Sequence, residues 1–441
     1  MKTEFLVCRS VPILTLAFAI AGCSGDEELG VASQALIGDS LPGIPPSDFQ
    51  TARDAFNTVE GLSDGLGPIF NERGCGNCHT LGAQGGAGEQ VERRFGRFVN
   101  GAFDPLANLG GSLRQLFTVG RFDRPDGTVC TVPLEVEPAS ATVRNVGRLT
   151  TPLFGLGLVD AMPDSFFDQL AAAQPSDIRG IANRVPIVVP NPDDPAQNIG
   201  TTRVGRFGWK AGVPTLTQFA ADAYVNEMGI TTQSCFNGTS ITAFSTESAP
   251  NGVPMSEGCD DLAPPAPDGV PVGTDDAVGE CESGETEIQD DVAEFAAFMT
   301  FLAPTTRLPL TLAAQQGQPL FTSVGCAVCH VTRTFVTPAS PPTGVPGNFS
   351  FQPFSDFLVH DMGTLGDQIG NAGDSLAVTR RMRTAPLWGI HHRNKLLHDG
   401  RTTDVRTAIE NHDGQGLPAR QAFGRLSEPD KHNLIEFVRT L

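Results

Sequence analysis

The 441-residue chain has one tyrosine and two tryptophans beside 28 phenylalanines. Its core is therefore built on rings without polar handles, and any aromatic relay must run through very few side chains. Basic residues are missing from 211 to 306, a stretch that holds 16 of the 50 acidic residues. Elsewhere 34 acidic residues face 30 basic ones, so the net charge of −20 is a local property. No basic patch suited to nucleic acid is present, and nucleic acid is excluded as a partner. Long apolar runs are also missing, because Val11 to Ile20 is too short to span a bilayer as a helix. Histidine is absent between His79 and His330.

What is present is a five-residue pattern used twice. Residues 74 to 80 read GCGNCHT and residues 325 to 331 read GCAVCHV. Zinc sites, thiol redox pairs and c-type haem attachment all use Cys-x-x-Cys, but only the haem motif requires His directly after the second Cys. On a helical turn Cys75, Cys78 and His79 fall at i, i+3 and i+4, so both sulfurs can reach the vinyl groups while the imidazole faces the iron. Cys326, Cys329 and His330 repeat the arrangement. A single four-Cys zinc site would leave both histidines without a role. Two covalent c-type haems are expected.

The likeness extends upstream. GPIFNERGCGNCH and QPLFTSVGCAVCH share Pro, an aliphatic residue, Phe and the haem motif, at a repeat of 251 residues. Each copy also ends in a helical pattern. Thr286 and Gln289 form a capping box ahead of Ile288, Val292, Phe295, Met299 and Leu302, and Ser427 precedes Leu434, Phe437, Val438 and Leu441. The fold class expected is mainly α, with two cytochrome c-like domains at 46–303 and 304–441. The first must hold long loop insertions, at 185–200 and 233–285.

Covalent haem attachment implies assembly outside the cytoplasm, and residues 1–23 read as a lipoprotein signal peptide. Lys2 and Arg9 precede the apolar run, and Ile20 to Cys23 (IAGC) resembles a lipobox. Cys23 would carry the lipid, residues 24–45 would tether it, and the protein would lie in the periplasm or on the outer membrane. Cys130, Cys235, Cys259 and Cys281 then remain, enough for two disulfides in an oxidising compartment. Cys259 with Cys281 is the favoured pair, since they flank one loop.

The second axial ligand of each iron decides between electron transfer and chemistry. The first domain offers no second histidine, so its candidates are Met162, Met228, Met255 and Met299, with Met228 preferred. The second domain offers His360, His391, His392, His398, His412 and His432, of which His432 reads as solvated. Trp209 and Trp388 are candidate relays, and His360 with Met362 in VHDMGT can line a haem.

Residues 384 to 416, TAPLWGIHHRNKLLHDGRTTDVRTAIENHDGQG, resemble the C-terminal haem domain of bacterial di-haem peroxidases. GRFGWKAGVPTLTQFAADAYVNEMGIT, FLVHDMGT and RTAPLWGI narrow the resemblance to the di-haem oxidoreductases, also labelled thiol oxidoreductases. The resemblance implies His398-Asp399-Gly400 on a turn, and His412 as distal ligand of the second iron opposite His330. The first haem would then be the reactive centre, with Met228, Trp209 and His398 as candidate catalytic residues. It further implies a small-molecule oxidant or thiol as substrate and a redox partner protein, with calcium a further candidate cofactor. A non-enzymatic electron carrier would require strong ligands on both irons. A di-haem oxygenase acting on an apolar substrate would require a hydrophobic pocket at the first.

Overall fold

Paired strands overturn the mainly α expectation. The computed structural model contains 32% helix and 19% strand, the latter spread over several small antiparallel sheets. It describes residues 36–61, 64–123, 127–192, 194, 197–232, 234–241, 281, 286–288 and 290–441. The signal peptide, the lipobox at Cys23, most of the tether, Met255 and Cys259 lie outside the described residues.

The strands leave little trace in the sequence, for a physical reason. Most span two or three residues, too few for a period-2 pattern to register. The long one, β1 (Val91–Val99), carries charged side chains on both faces, Glu92 and Arg94 on one and Arg93 on the other, instead of an apolar stripe. It pairs antiparallel with β2 (Val143–Leu149), placing Val91 opposite Leu149 and Glu92 opposite Arg148. Residues 185–200, expected as loop, are partly closed by a short ladder of Arg184–Pro186 with Thr202–Val204. Thr286–Ile288 forms a strand against Ser234–Phe236, so the helix expected to begin there starts only at Asp290.

Helices carry the apolar packing. Helices α1 (Pro46–Phe56), α2 (Leu216–Ala223) and α3 (Asp290–Phe301) surround one core, in which Phe298 stacks on Phe49 at 5.7 Å and meets Phe56 at 4.4 Å. Helices α4 (Leu312–Ser323) and α5 (Glu428–Arg439) pack together over a second core of Phe321, Phe423, Leu434 and Phe437. As the sequence predicts, Ser427 caps α5, accepting from the Asp430 N–H at 3.3 Å. Gly317 permits the α4–α5 approach, since a Cβ there would lie 1.9 Å from the Asn433 carbonyl oxygen. The described residues belong to one compact unit.

The sequence repeat is not a structural repeat throughout. Ile69–Phe70 form a strand against Phe117–Thr118, whereas their counterparts Leu320 and Phe321 lie inside α4. Cys281 pairs with Cys235 instead of the expected Cys259, because the ladder between 234–236 and 286–288 brings their two segments together. Cys130 is also disulfide-bonded.

Candidate functional site

Each Cys-x-x-Cys-His motif opens onto its own cavity. Cys75–Cys78 form a single helical turn ending at His79, on a cavity of about 550 Å³. Cys326–Val328 form a tighter turn followed by Cys329 and His330, on a cavity of about 340 Å³. Burial raises the cysteines: Cys78 and Cys326 are pushed up to about 12, and Cys75 is displaced furthest. They are neutral thiols without the low pKa of a poised redox pair.

The histidines are prepared to accept a metal. His79 Nδ1 bonds the Gly86 carbonyl at 3.1 Å and His330 Nδ1 bonds the Phe354 carbonyl at 2.9 Å. Each bond leaves Nε2 with its lone pair. Burial lowers both rings to about 4, so both are neutral at physiological pH.

His412 faces His330 across the second cavity, with ring centroids 6.5 Å apart, and its Nδ1 bonds the Ala408 carbonyl at 2.9 Å. A metal about 2 Å from each of two facing ring nitrogens needs centroids roughly 6 Å apart. The donor set thus fits a bis-histidine haem. His360 and Met362 line this cavity too, but His360 is turned onto Asp356, its Nε2 2.9 Å from a carboxylate oxygen. Cys329, Asp356 and His360 are the one converging group of potential metal ligands among the described residues, and they do not form the all-oxygen shell that calcium takes.

The first cavity is lined differently. Glu92 and Arg94, two apart on β1, share its wall in a bidentate pair at 2.7 and 3.2 Å. Glu227 stands beside them on the π-turn Tyr224–Met228, a local widening of the helix that follows α2. Asn71 Nδ2 donates to Glu227 at 2.8 Å, and the Leu116 N–H holds Asn71 in turn at 3.1 Å. Burial and the neighbouring Glu92 carboxylate push Glu227 up to about 8. At Glu92 burial also raises the carboxyl, but the Arg94 guanidinium outweighs it and keeps Glu92 below its ordinary range. Glu227 and Glu92 are hydrogen-bonded, so the pair holds one proton at neutral pH. Asp222, pushed up by burial to about 6, lines the same cavity, as do Glu72 and Asp374.

Among the methionines expected to face the first haem, Met228 and Met299 line this cavity, while Met162 is buried in a separate core with Phe167. Trp209 lines both cavities, donating from Nε1 to the Leu149 carbonyl at 2.8 Å. His398 lines the second cavity, its ring 6.2 Å from that of Trp209. Trp388 is buried away from both, against Phe351. His432 is exposed, as expected.

A family model described as "Di-haem oxidoreductase, putative peroxidase" matches residues 113–441. The chain belongs to the di-haem oxidoreductase family. No curated protein matches it. Among solved structures, a similar chain is the hydrazine synthase of Kuenenia stuttgartiensis in a xenon-pressurised crystal, 20% identical with a TM-score of 0.25. That match covers 35% of this chain and 57% of the other. In this di-haem oxidoreductase the sequence motifs locate the two cavities, but Glu92, Arg94, Asp222 and Glu227 carry no signal in one sequence. Glu227 directly precedes the Met228 singled out there.

Proposed function

We propose that the protein is a peroxidase-like oxidoreductase whose two haems divide the work. One haem would attach through Cys75 and Cys78 with His79 as ligand, and the other through Cys326 and Cys329 with His330 and His412. Bound iron would supply peroxide binding at the first site and electron storage at the second.

The observation that carries this reading is the contrast between the cavities. The second has an imidazole on each side and, among the described residues, no acid on its lining. The first has His79 on one side together with a carboxyl–carboxylate pair and a guanidinium. Reducing one peroxide to two waters consumes two protons and two electrons. Glu227 can give one of these protons to the peroxide from its carboxyl and take the second up from solvent, while Arg94 fixes the neighbouring Glu92 and Asn71 orients Glu227. A redox partner protein would supply the electrons through the second site and Trp209. The charged lining does not suit an apolar substrate, which weighs against an oxygenase, and the single facing histidine weighs against a pure electron carrier.

Export belongs to the same proposal. The Cys235–Cys281 disulfide favours an oxidising compartment, in keeping with a periplasmic lipoprotein anchored at Cys23.

Electron-spin-resonance and pyridine haemochrome spectra of isolated protein test the reading. Two thioether-bound haems are expected, one low-spin and one high-spin or converted by cyanide. Two low-spin haems inert to cyanide and peroxide in every redox state would replace it with the electron-carrier reading.

A further inference from the structure

The second cavity lacks any Asp or Glu on its lining among the described residues, yet Arg383, Arg393, Lys395 and Arg420 all face it. Lys395 donates to the Glu89 carbonyl near the surface. Arg383 and Arg393 lie deeper, and their recorded partners are backbone carbonyls. Arg383 Nε donates to Gly208 at 2.7 Å and Nη1 to Thr384 at 3.3 Å. Arg393 Nη2 donates to Pro386 at 2.8 Å, and its buried Nε has no partner.

Among the described residues Asp356 is the only carboxylate whose charge reaches Arg383, and it is already bonded by His360 and Gln174. Burial, with each other's charge added at Arg383, brings both guanidiniums down to about 10. Two neighbouring desolvated cations that share one carboxylate already bonded elsewhere are costly, so the cavity is built for an anion. Bidentate recognition of carboxylate is the geometry guanidinium favours.

We propose that Arg383 and Arg393 form the anion seat of the second cavity and receive the two propionate carboxylates of its haem. The proposal rests on the reading that a haem occupies this cavity. It adds a mechanical link. Arg383 closes a short strand, Arg381–Arg383, and its backbone N–H donates to the Trp209 carbonyl at 2.7 Å while Nε holds Gly208. The residue that neutralises one haem's carboxylates therefore also positions the tryptophan facing both cavities, as a positioning residue.

Besides Lys395 and Arg420, the other ionisable side chains on this cavity are His330, His360, His398 and His412; burial lowers all four imidazoles, and at His360 the bonds to Asp356 and Cys329 outweigh it and raise the ring. Spectroelectrochemistry of the holoprotein at pH 6 to 8 separates their effects from that of the seat. In the wild type, paired propionates stay ionised, and the midpoint potential of the low-spin haem is flat across this range. Removing a guanidinium raises the propionate pKa and leaves the ferric state less opposed. Arg383→Gln and Arg393→Gln should each lower that potential at pH 8 and introduce a slope below it, while Arg383→Lys restores most of the wild-type value. If Arg383→Gln does not fold, Arg393→Gln decides alone, since its recorded bonds leave the Gly208–Trp209 turn untouched.

Two attached haems with an unmoved potential and a flat profile in the variants would overturn the anion seat, as would a sloping wild-type profile. Fewer than two haems on the wild-type chain, read from pyridine haemochrome alone, would instead remove the assignment on which the seat rests, and the seat with it.

Discussion

Glu227→Gln removes one titratable proton and little else. The amide oxygen can still accept from Asn71, which donates to the present carboxyl at 2.8 Å, and the amide nitrogen can still donate to Glu92. Shape and packing at the π-turn are kept, so the variant should fold with two haems. With a pKa of about 8, Glu227 is protonated in about nine molecules of ten at pH 7 and in about one of ten at pH 9. A positioned general acid contributes about 10²–10⁴-fold to rate. A loss of about 10²-fold, or about 2.7 kcal/mol of barrier, is expected because the Arg94–Glu92 pair remains. Stopped-flow mixing with hydrogen peroxide, followed in the Soret band from pH 6 to 10, reads both quantities. The wild-type rate constant should fall about tenfold per pH unit above about pH 8, and the variant should be slow and level. A variant within about threefold of wild type, with the same pH profile, would refute the assignment of the proton to Glu227.

His412→Ala should turn the second haem high-spin in electron-spin resonance while both haems stay attached. Trp209→Phe, which loses the bond to the Leu149 carbonyl, should leave both spectra intact and slow electron transfer between the sites in single-turnover kinetics. Asp367 is buried between Arg148 and Lys210, each 2.8 Å away, and although burial opposes its charge these cations hold the carboxyl below its ordinary range. Asp367→Asn strands two cations and should cost about 3–5 kcal/mol in denaturant unfolding. The wild-type contribution is present above the unfolded pKa of about 4 and is lost as pH falls below it, so only the wild type should show that acid-side loss. Replacing both Cys235 and Cys281 with Ser opens a link across 46 residues and should cost at most about 4 kcal/mol by the chain-entropy estimate.

The sequence disclosed the two attachment turns, the histidine-poor interval and the C-terminal helix with its Ser427 cap, because each depends on residues a few positions apart. The strand content was hidden for the opposite reason. Glu92 and Arg94 sit in a polar strand whose pairing with 143–149 is non-local, and nothing in VERRFGRFV marks it as half-buried. The acid pair was hidden likewise. Glu92 and Glu227 are 135 positions apart, and Glu227 acquires its character from burial and from Asn71, neither of which a single sequence records. Cys281 lies nearer Cys259 in sequence, but the ladder of 234–236 with 286–288 makes Cys235 its neighbour in space.

Leu149, Thr150 and Trp209 face both cavities. A wall with two tenants cannot be renovated for one of them. A substitution there that reshapes the first cavity also alters the packing around the second, so effects at these three positions should be strongly non-additive with changes in either cavity. Selection acting on this wall would see the pair of sites as one trait. Residues deeper in each cavity, such as Glu227 and His412, remain free to diverge separately.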